Sequence, residues 1–146
     1  MLEARQLECT RGERRLFSDL SFKLDRGQLL RVAGANGSGK TSLLRIMCGL
    51  VAPSRGELRW QGQSIRAERE EYSRNIVFVG HLNALKDDLT ALENLQVAAA
   101  LAGLPADAAR MLTGLDRFGI VHCAELPTKV LSQGQRRRVA LARLAL

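Results

Sequence analysis

Cysteine, lysine and aromatic side chains are all scarce in this 146-residue chain. Cys9, Cys48 and Cys123 are odd in number, widely separated and without a Cys-x-x-Cys pair. Such spacing excludes a disulfide scaffold and a cysteine zinc site, and leaves reduced cytosolic thiols. His122-Cys123 lacks the Cys-x-x-Cys-His spacing of haem attachment and reads as incidental. Apolar runs are broken by Arg, Lys or Glu well short of the roughly 20 residues that span a bilayer. Met1-Leu2-Glu3-Ala4-Arg5 has no signal-peptide core, so a cytoplasmic chain is expected. Lysine is confined to Lys23, Lys40, Lys86 and Lys129, so the net charge of +7 comes mostly from arginines scattered between Arg5 and Arg143. A nucleic-acid surface would concentrate its basic residues and interleave aromatics. The one run here is Arg136-Arg137-Arg138, so no nucleic-acid partner is expected. A face resting near an anionic membrane also suits this charge.

What is present fits one globular domain, with 46% hydrophobic and 25% charged residues. Leu16-Phe17 and the alternating Leu20–Leu24 predict strands, with a turn at Asp25-Arg26-Gly27. Leu29 to Ala33 reads as a buried strand of a mixed or parallel sheet, with Arg31 unexplained inside it. Leu43, Leu44, Ile46, Met47 and Leu50 fall at helical spacing, and Gly49 is a stop. Glu57 to Gln61 predicts an exposed strand with Trp60 packed on it, and Asn75 to Gly80 a second buried strand. From Leu89 the chain becomes rich in Ala and Leu. Thr90 to Glu93 is a capping box that opens a helix whose apolar face is Leu92, Leu95, Ala99 and Ala102, ended by Gly103-Leu104-Pro105. A second helix is expected over Ala106 to Phe118, and a third from Ser132 to the last residue.

The chemistry sits between the run at Leu29 and the first helix. Gly34-Ala35-Asn36-Gly37-Ser38-Gly39-Lys40-Thr41 satisfies Gly-x-x-x-x-Gly-Lys-[Ser/Thr], a phosphate-binding loop of the Walker A type. Glycines let the backbone curl until successive N–H groups point inward at phosphate oxygens. The helix that follows adds its positive dipole end. Lys40 is placed for the β- and γ-phosphates, the Thr41 hydroxyl for Mg²⁺, and Ser42 continues the cradle. ATP and Mg²⁺ are the expected ligands.

A second motif narrows the class. Leu131-Ser132-Gln133-Gly134-Gln135, followed by Arg136 to Arg143, lies roughly ninety residues after the loop. It resembles the signature sequence of ATP-binding cassette (ABC) proteins. The resemblance covers nearly the whole chain. It is closer to one branch, the ATP-binding subunit of the haem exporter of bacterial cytochrome c maturation. Arg11-Gly12-Glu13-Arg14, Leu16-Phe17, Ser42-Leu43-Leu44-Arg45, Gly80-His81 and Leu89 to Leu95 carry that likeness.

It implies an α/β P-loop NTPase fold of ABC type, a mixed sheet core over 1–88 and a helical subdomain over 89–146, together one incomplete domain. It further implies a head-to-tail dimer, in which Ser132 and the N–H groups of Gly134 and Gln135 reach the γ-phosphate on the second nucleotide-binding subunit. Membrane-spanning partners would hold the protein at the cytoplasmic face of the bacterial inner membrane. Arg11 stands where the family places an adenine-stacking aromatic, a role a guanidinium plane can also take. His81 stands at the glutamine that senses Mg²⁺ and contacts the membrane partner. Gln133 replaces the usual signature glycine. The family's apolar strand ending in Asp-Glu, and its later switch histidine, are expected after Leu146. The 146 residues alone are therefore expected to lack the general base. The alternatives are a soluble ABC-type ATPase acting on nucleic acid or ribosomes, and a P-loop kinase, which the Ser132 motif disfavours.

Overall fold

Leu2 and Ala4, then Leu7 and Cys9, are the buried apolar side chains of a ten-residue strand, β1 (Leu2–Arg11). Strict alternation would continue from Ala4 to Gln6. Instead Gln6 takes φ +47° and the ladder slips, so the apolar phase restarts at Leu7. The computed structural model describes residues 1–80 and 83–146. Within it β1 pairs antiparallel with β2 (Arg14–Leu24) on one side and β3 (Arg55–Trp60) on the other. β3 turns through Gln61-Gly62, both at positive φ, into β4 (Gln63–Ser64). Two residues of that conformation match the right-handed twist of a tight hairpin. The strand order is β2-β1-β3-β4.

The helix α1 (Lys40–Met47) follows the glycine loop and buries Leu43 and Ile46, while Leu44 and Leu50 stay exposed. Its end is a Schellman turn: Gly49, at φ +68°, donates to the Ile46 carbonyl, and the Leu50 N–H donates to that of Arg45. A short helix, α2 (Arg69–Arg74), contributes Tyr72 to the same core as Leu7, Ile46 and Leu58. Each such buried aliphatic side chain is worth about 1.5–3 kcal/mol.

Helices α3 (Ala91–Leu101), α4 (Ala108–Arg117) and α5 (Gln133–Ala142) build a second core around Leu95, Met111, Leu115, Ile120 and Val139. Small residues let them approach: a Cβ on Gly114 would lie 3.4 Å from the Ala142 carbonyl oxygen. The two cores belong to two compact units, Met1–Ile76 and Val77–Leu146.

Several expectations need correction. Leu29 to Ala33 is not a strand, and Leu29 is 93% exposed. Asn75 to Gly80 is not one either, and Val77 and Phe78 are exposed. Composition marks a segment as able to pair, but a strand exists only by its ladder. Among the described residues neither run finds a partner, so the sheet is antiparallel rather than mixed. Ala102 is exposed, and the apolar face of α3 is instead Ala91, Leu95 and Ala99 with the polar Asn94. The last helix ends at Ala142, with a 3-10 turn over Arg143–Ala145.

Candidate functional site

Gly34, Gly37 and Gly39 all take positive φ, at 153°, 81° and 94°. A side chain would collide at two of them. A Cβ on Gly34 would stand 2.8 Å from the Ser38 Oγ, and one on Gly39 would stand 3.0 Å from the Leu16 Cβ. The glycines are thus required by conformation and by space. The loop closes on itself through the Ser38 N–H, which donates to the Ala35 carbonyl at 3.2 Å. Gly39 is the N-cap of α1 and offers no side-chain acceptor. Among the described residues the N–H groups of Lys40, Thr41 and Ser42 have no backbone acceptor, and they form the positive end of the helix. Lys40 Nζ donates to the carbonyls of Gly34 and Ala35, at 2.7 and 2.8 Å, which holds the ammonium over the loop. Gly34 to Ser38 and Thr41 are exposed, and Ser42 is buried. Open N–H groups, a fixed cation and backbone bare of side chains make a cradle for a polyphosphate.

Ser132 is the N-cap of α5 and forms a capping box. Its Oγ accepts from the Gln135 N–H at 3.2 Å, and the Gln135 Oε1 accepts from the Ser132 N–H at 2.8 Å. The Gln135 N–H is therefore engaged, whereas that of Gly134 has no acceptor among the described residues. Nothing lies within 4 Å of a Cβ placed on Gly134. Ser132, Gln133 and Gly134 are all exposed. An incoming anion would meet the Gly134 N–H and the Ser132 hydroxyl first. The cradle lies in the first unit and this helix end in the second.

An ABC transporter family model matches residues 17–146. The chain belongs to the ABC transporter family. Among the relatives of this ABC cassette, the cytochrome c biogenesis ATP-binding export protein CcmA of Nitrosomonas europaea is 54% identical over 144 residues, 99% of this chain and 68% of the relative. The protein of that name from Dechloromonas aromatica is 51% identical over 144 residues, covering 99% of this chain and 71% of its own. A dimeric bacterial ABC transporter cassette of solved structure superposes with a TM-score of 0.85 at 27% identity, over 100% of this chain and 69% of that one. ABC cassettes of this family use ATP.

The cassette also holds polar geometry that its motifs did not announce. Asn94, buried on α3, accepts from the Lys86 N–H at 2.7 Å and donates to the carbonyls of Lys86, Leu89 and Thr90. Arg136 pairs with Asp87 at 2.5 Å and donates to the Thr128 carbonyl at 3.2 Å. Arg137 donates to the Gly80 carbonyl at 2.6 Å. Gly80 and Asn83 are thereby tied to α5. His81 itself lies outside the described residues. All three arginines of the basic run donate to groups of the fold, Arg138 to the Gly119 carbonyl at 3.5 Å. Arg11 ends β1 exposed, and across the hairpin from it Arg14 lies beside the loop at Gly37. The sequence offered Arg14 only as part of the family likeness, and its place beside the loop comes from the hairpin register. Among the described residues no helix is long and apolar enough to cross a membrane.

Proposed function

We propose that this ABC cassette is the ATP-binding subunit of an exporter serving cytochrome c biogenesis, with haem or a haem-loaded carrier handled by its membrane-spanning partners. The phosphate cradle carries the reading, and the names of relatives about half identical to the chain support the process. Gly34 to Ser42 would hold the phosphates of ATP through N–H groups and the Lys40 ammonium. Thr41 would ligate Mg²⁺, which when bound neutralises charge on the phosphate chain. By the family resemblance, His81 would be a second residue for the metal after Thr41, and Arg11 would stack on adenine. A second copy would present Ser132, Gly134 and Gln135 to the γ-phosphate across a head-to-tail dimer, as peripheral subunits at the cytoplasmic face of the inner membrane. The dimeric cassette it resembles supports that assembly. Hydrolysis would draw on residues beyond the cradle, since none of Gly34 to Ser42 carries a carboxylate or imidazole that could act as base toward water.

Lys40→Ala removes a charged hydrogen-bond donor, which is worth about 1.5–3 kcal/mol. Titration calorimetry with MgATP should show that loss, and equal affinity in the variant would remove the loop from the site. Co-purification with a membrane subunit separates the exporter from a soluble ATPase working on nucleic acid or ribosomes.

A further inference from the structure

The turn that joins β1 to β2 carries two guanidinium groups that the fold does not use. Arg11 and Arg14 are direct partners across the antiparallel ladder. Side chains so placed leave the same face of the sheet, and like charges there weaken the pairing. Among the described residues neither has a carboxylate within ion-pair distance, although Glu13 sits in the turn between them. Three other arginines of the sheet are compensated, although Arg55 of β3 is not in an ion pair among the described residues. Arg5 is held by Glu3 at 2.8 Å, Arg15 faces Glu8 at 3.8 Å, and Arg59 is held by Glu57 at 2.8 Å.

Position supplies the second observation. The Nη2 atom of Arg14 lies 3.9 Å from the point where a Cβ on Gly37 would stand. Gly37 is the middle glycine of the phosphate loop. An uncompensated cation therefore rests against the rim of a cradle whose other donors are backbone N–H groups and Lys40. We propose that Arg14 is a nucleotide-contacting residue, its guanidinium bonding the phosphate chain of the nucleotide from the hairpin side. The proposal rests on the reading of the loop as an ATP site. A guanidinium presents a planar fork that matches phosphate oxygens, and a charged pair of this kind outweighs a neutral hydrogen bond. An anion at this place also cancels the repulsion between Arg11 and Arg14, so nucleotide binding relieves a conflict built into the free hairpin.

The test measures dissociation constants of MgATP, MgADP and adenosine for the wild-type protein, Arg14→Gln, Arg14→Lys and Lys40→Ala, with melting temperatures alongside. Arg14→Gln should weaken both nucleotides about tenfold or more and leave adenosine unchanged. Arg14→Lys should recover part of the loss, as a point charge without the fork. Arg14→Gln should melt at or above the wild-type temperature, because it removes a like charge facing Arg11. Wild-type affinity in Arg14→Gln, beside a defective Lys40→Ala, overturns the role of Arg14 and leaves the ATP site standing. An equal loss for adenosine overturns the phosphate contact. Joint loss of affinity and melting temperature, with Arg14→Lys no better than Arg14→Gln, makes the residue structural and overturns the proposal. A wild-type protein that binds none of the three ligands removes the ATP site and the proposal with it.

Discussion

Gly56 shows how much a single residue can decide. It sits in β3 at φ +79°, opposite the irregularity where β1 slips phase at Gln6. A Cβ there would stand 2.3 Å from the Gln6 carbonyl oxygen and 2.4 Å from that of Arg5. Both are backbone atoms, so nothing short of moving the central strand relieves the clash. Gly56→Ala should cost about 2–5 kcal/mol, summing left-handed backbone strain and overpacking. Gly62, at φ +85° with nothing within 4 Å, isolates the strain alone, and Gly62→Ala should cost about 1–2 kcal/mol. Denaturant unfolding of the two variants checks the ordering, and equal midpoints would contradict it. Tyr72 carries a different sensitivity. Its hydroxyl donates to the Met47 carbonyl at the end of α1, and its ring tilts against Trp60 with centroids 5.7 Å apart. Burial, with a smaller contribution from Cys48, pushes its pKa up to about 12 from 10.0. Between these values the unfolded chain releases the proton and the folded one keeps it, so stability is full below about pH 10 and falls as pH rises toward 12. Tyr72→Phe should flatten that alkaline fall in melting temperature, at a cost of about 0.5–1.5 kcal/mol at neutral pH for the lost hydrogen bond.

At the scale of elements, the start of α5 combines a fold role and a proposed ligand role in one side chain. Ser132→Ala removes the cap and should cost about 1 kcal/mol. Ser132→Asp retains a capping acceptor and favours the helix dipole, yet puts a negative charge where a partner's γ-phosphate would arrive. The Asp variant should therefore unfold like the wild type while losing ATP-dependent dimerisation in sedimentation or size-exclusion measurements. Unchanged dimerisation would show that Ser132 is a cap and nothing more. The caps and the glycine loop were legible in the chain for one reason. Thr90 with Glu93, Ser132 with Gln135, and Gly34 to Thr41 each satisfy their own backbone within a few residues. What depended on distant partners was not legible. β1 hid because the slip at Gln6 breaks its alternation. α2 hid because Arg-Glu-Glu-Tyr-Ser-Arg buries only Tyr72 and shows no periodic face. Leu29 to Ala33 and Ile76 to Val79 carry strand composition, yet pairing is a property of two segments, and their composition could not reveal the absence of a ladder among the described residues. Asn94 escaped attention because an amide on an apolar helix face gains its meaning from the loop carbonyls it gathers.

For the whole molecule, holding ATP and hydrolysing it make different demands. The cradle needs only local backbone and Lys40, all present in the first unit. Hydrolysis also needs a group that orients and deprotonates water, and the acidic pair Asp87-Asp88 is already engaged. Asp87 is bonded to Arg136 at 2.5 Å and Asp88 to Lys129 at 2.9 Å. The hydrogen bond from Lys129 holds the Asp88 carboxyl below its usual range, which makes it a weaker base still. Both sit in the second unit, on the segment that Asn94 and Arg136 clamp, so their geometry is set by the fold. A positioned base contributes about 10²–10⁴-fold to a rate. The 146-residue chain should therefore bind MgATP yet release phosphate near the background rate, unaffected by haem. The comparison is phosphate release at saturating MgATP from this chain beside a cassette of the full length of its relatives, each with and without Lys40→Ala. Turnover should occur in the longer protein alone and vanish with Lys40. Robust turnover by the 146 residues, abolished in Lys40→Ala and retained in Asp87→Asn and Asp88→Asn, would place the base elsewhere among the described side chains or at His81. Loss in Asp87→Asn would mean instead that the pair with Arg136 opens during the reaction.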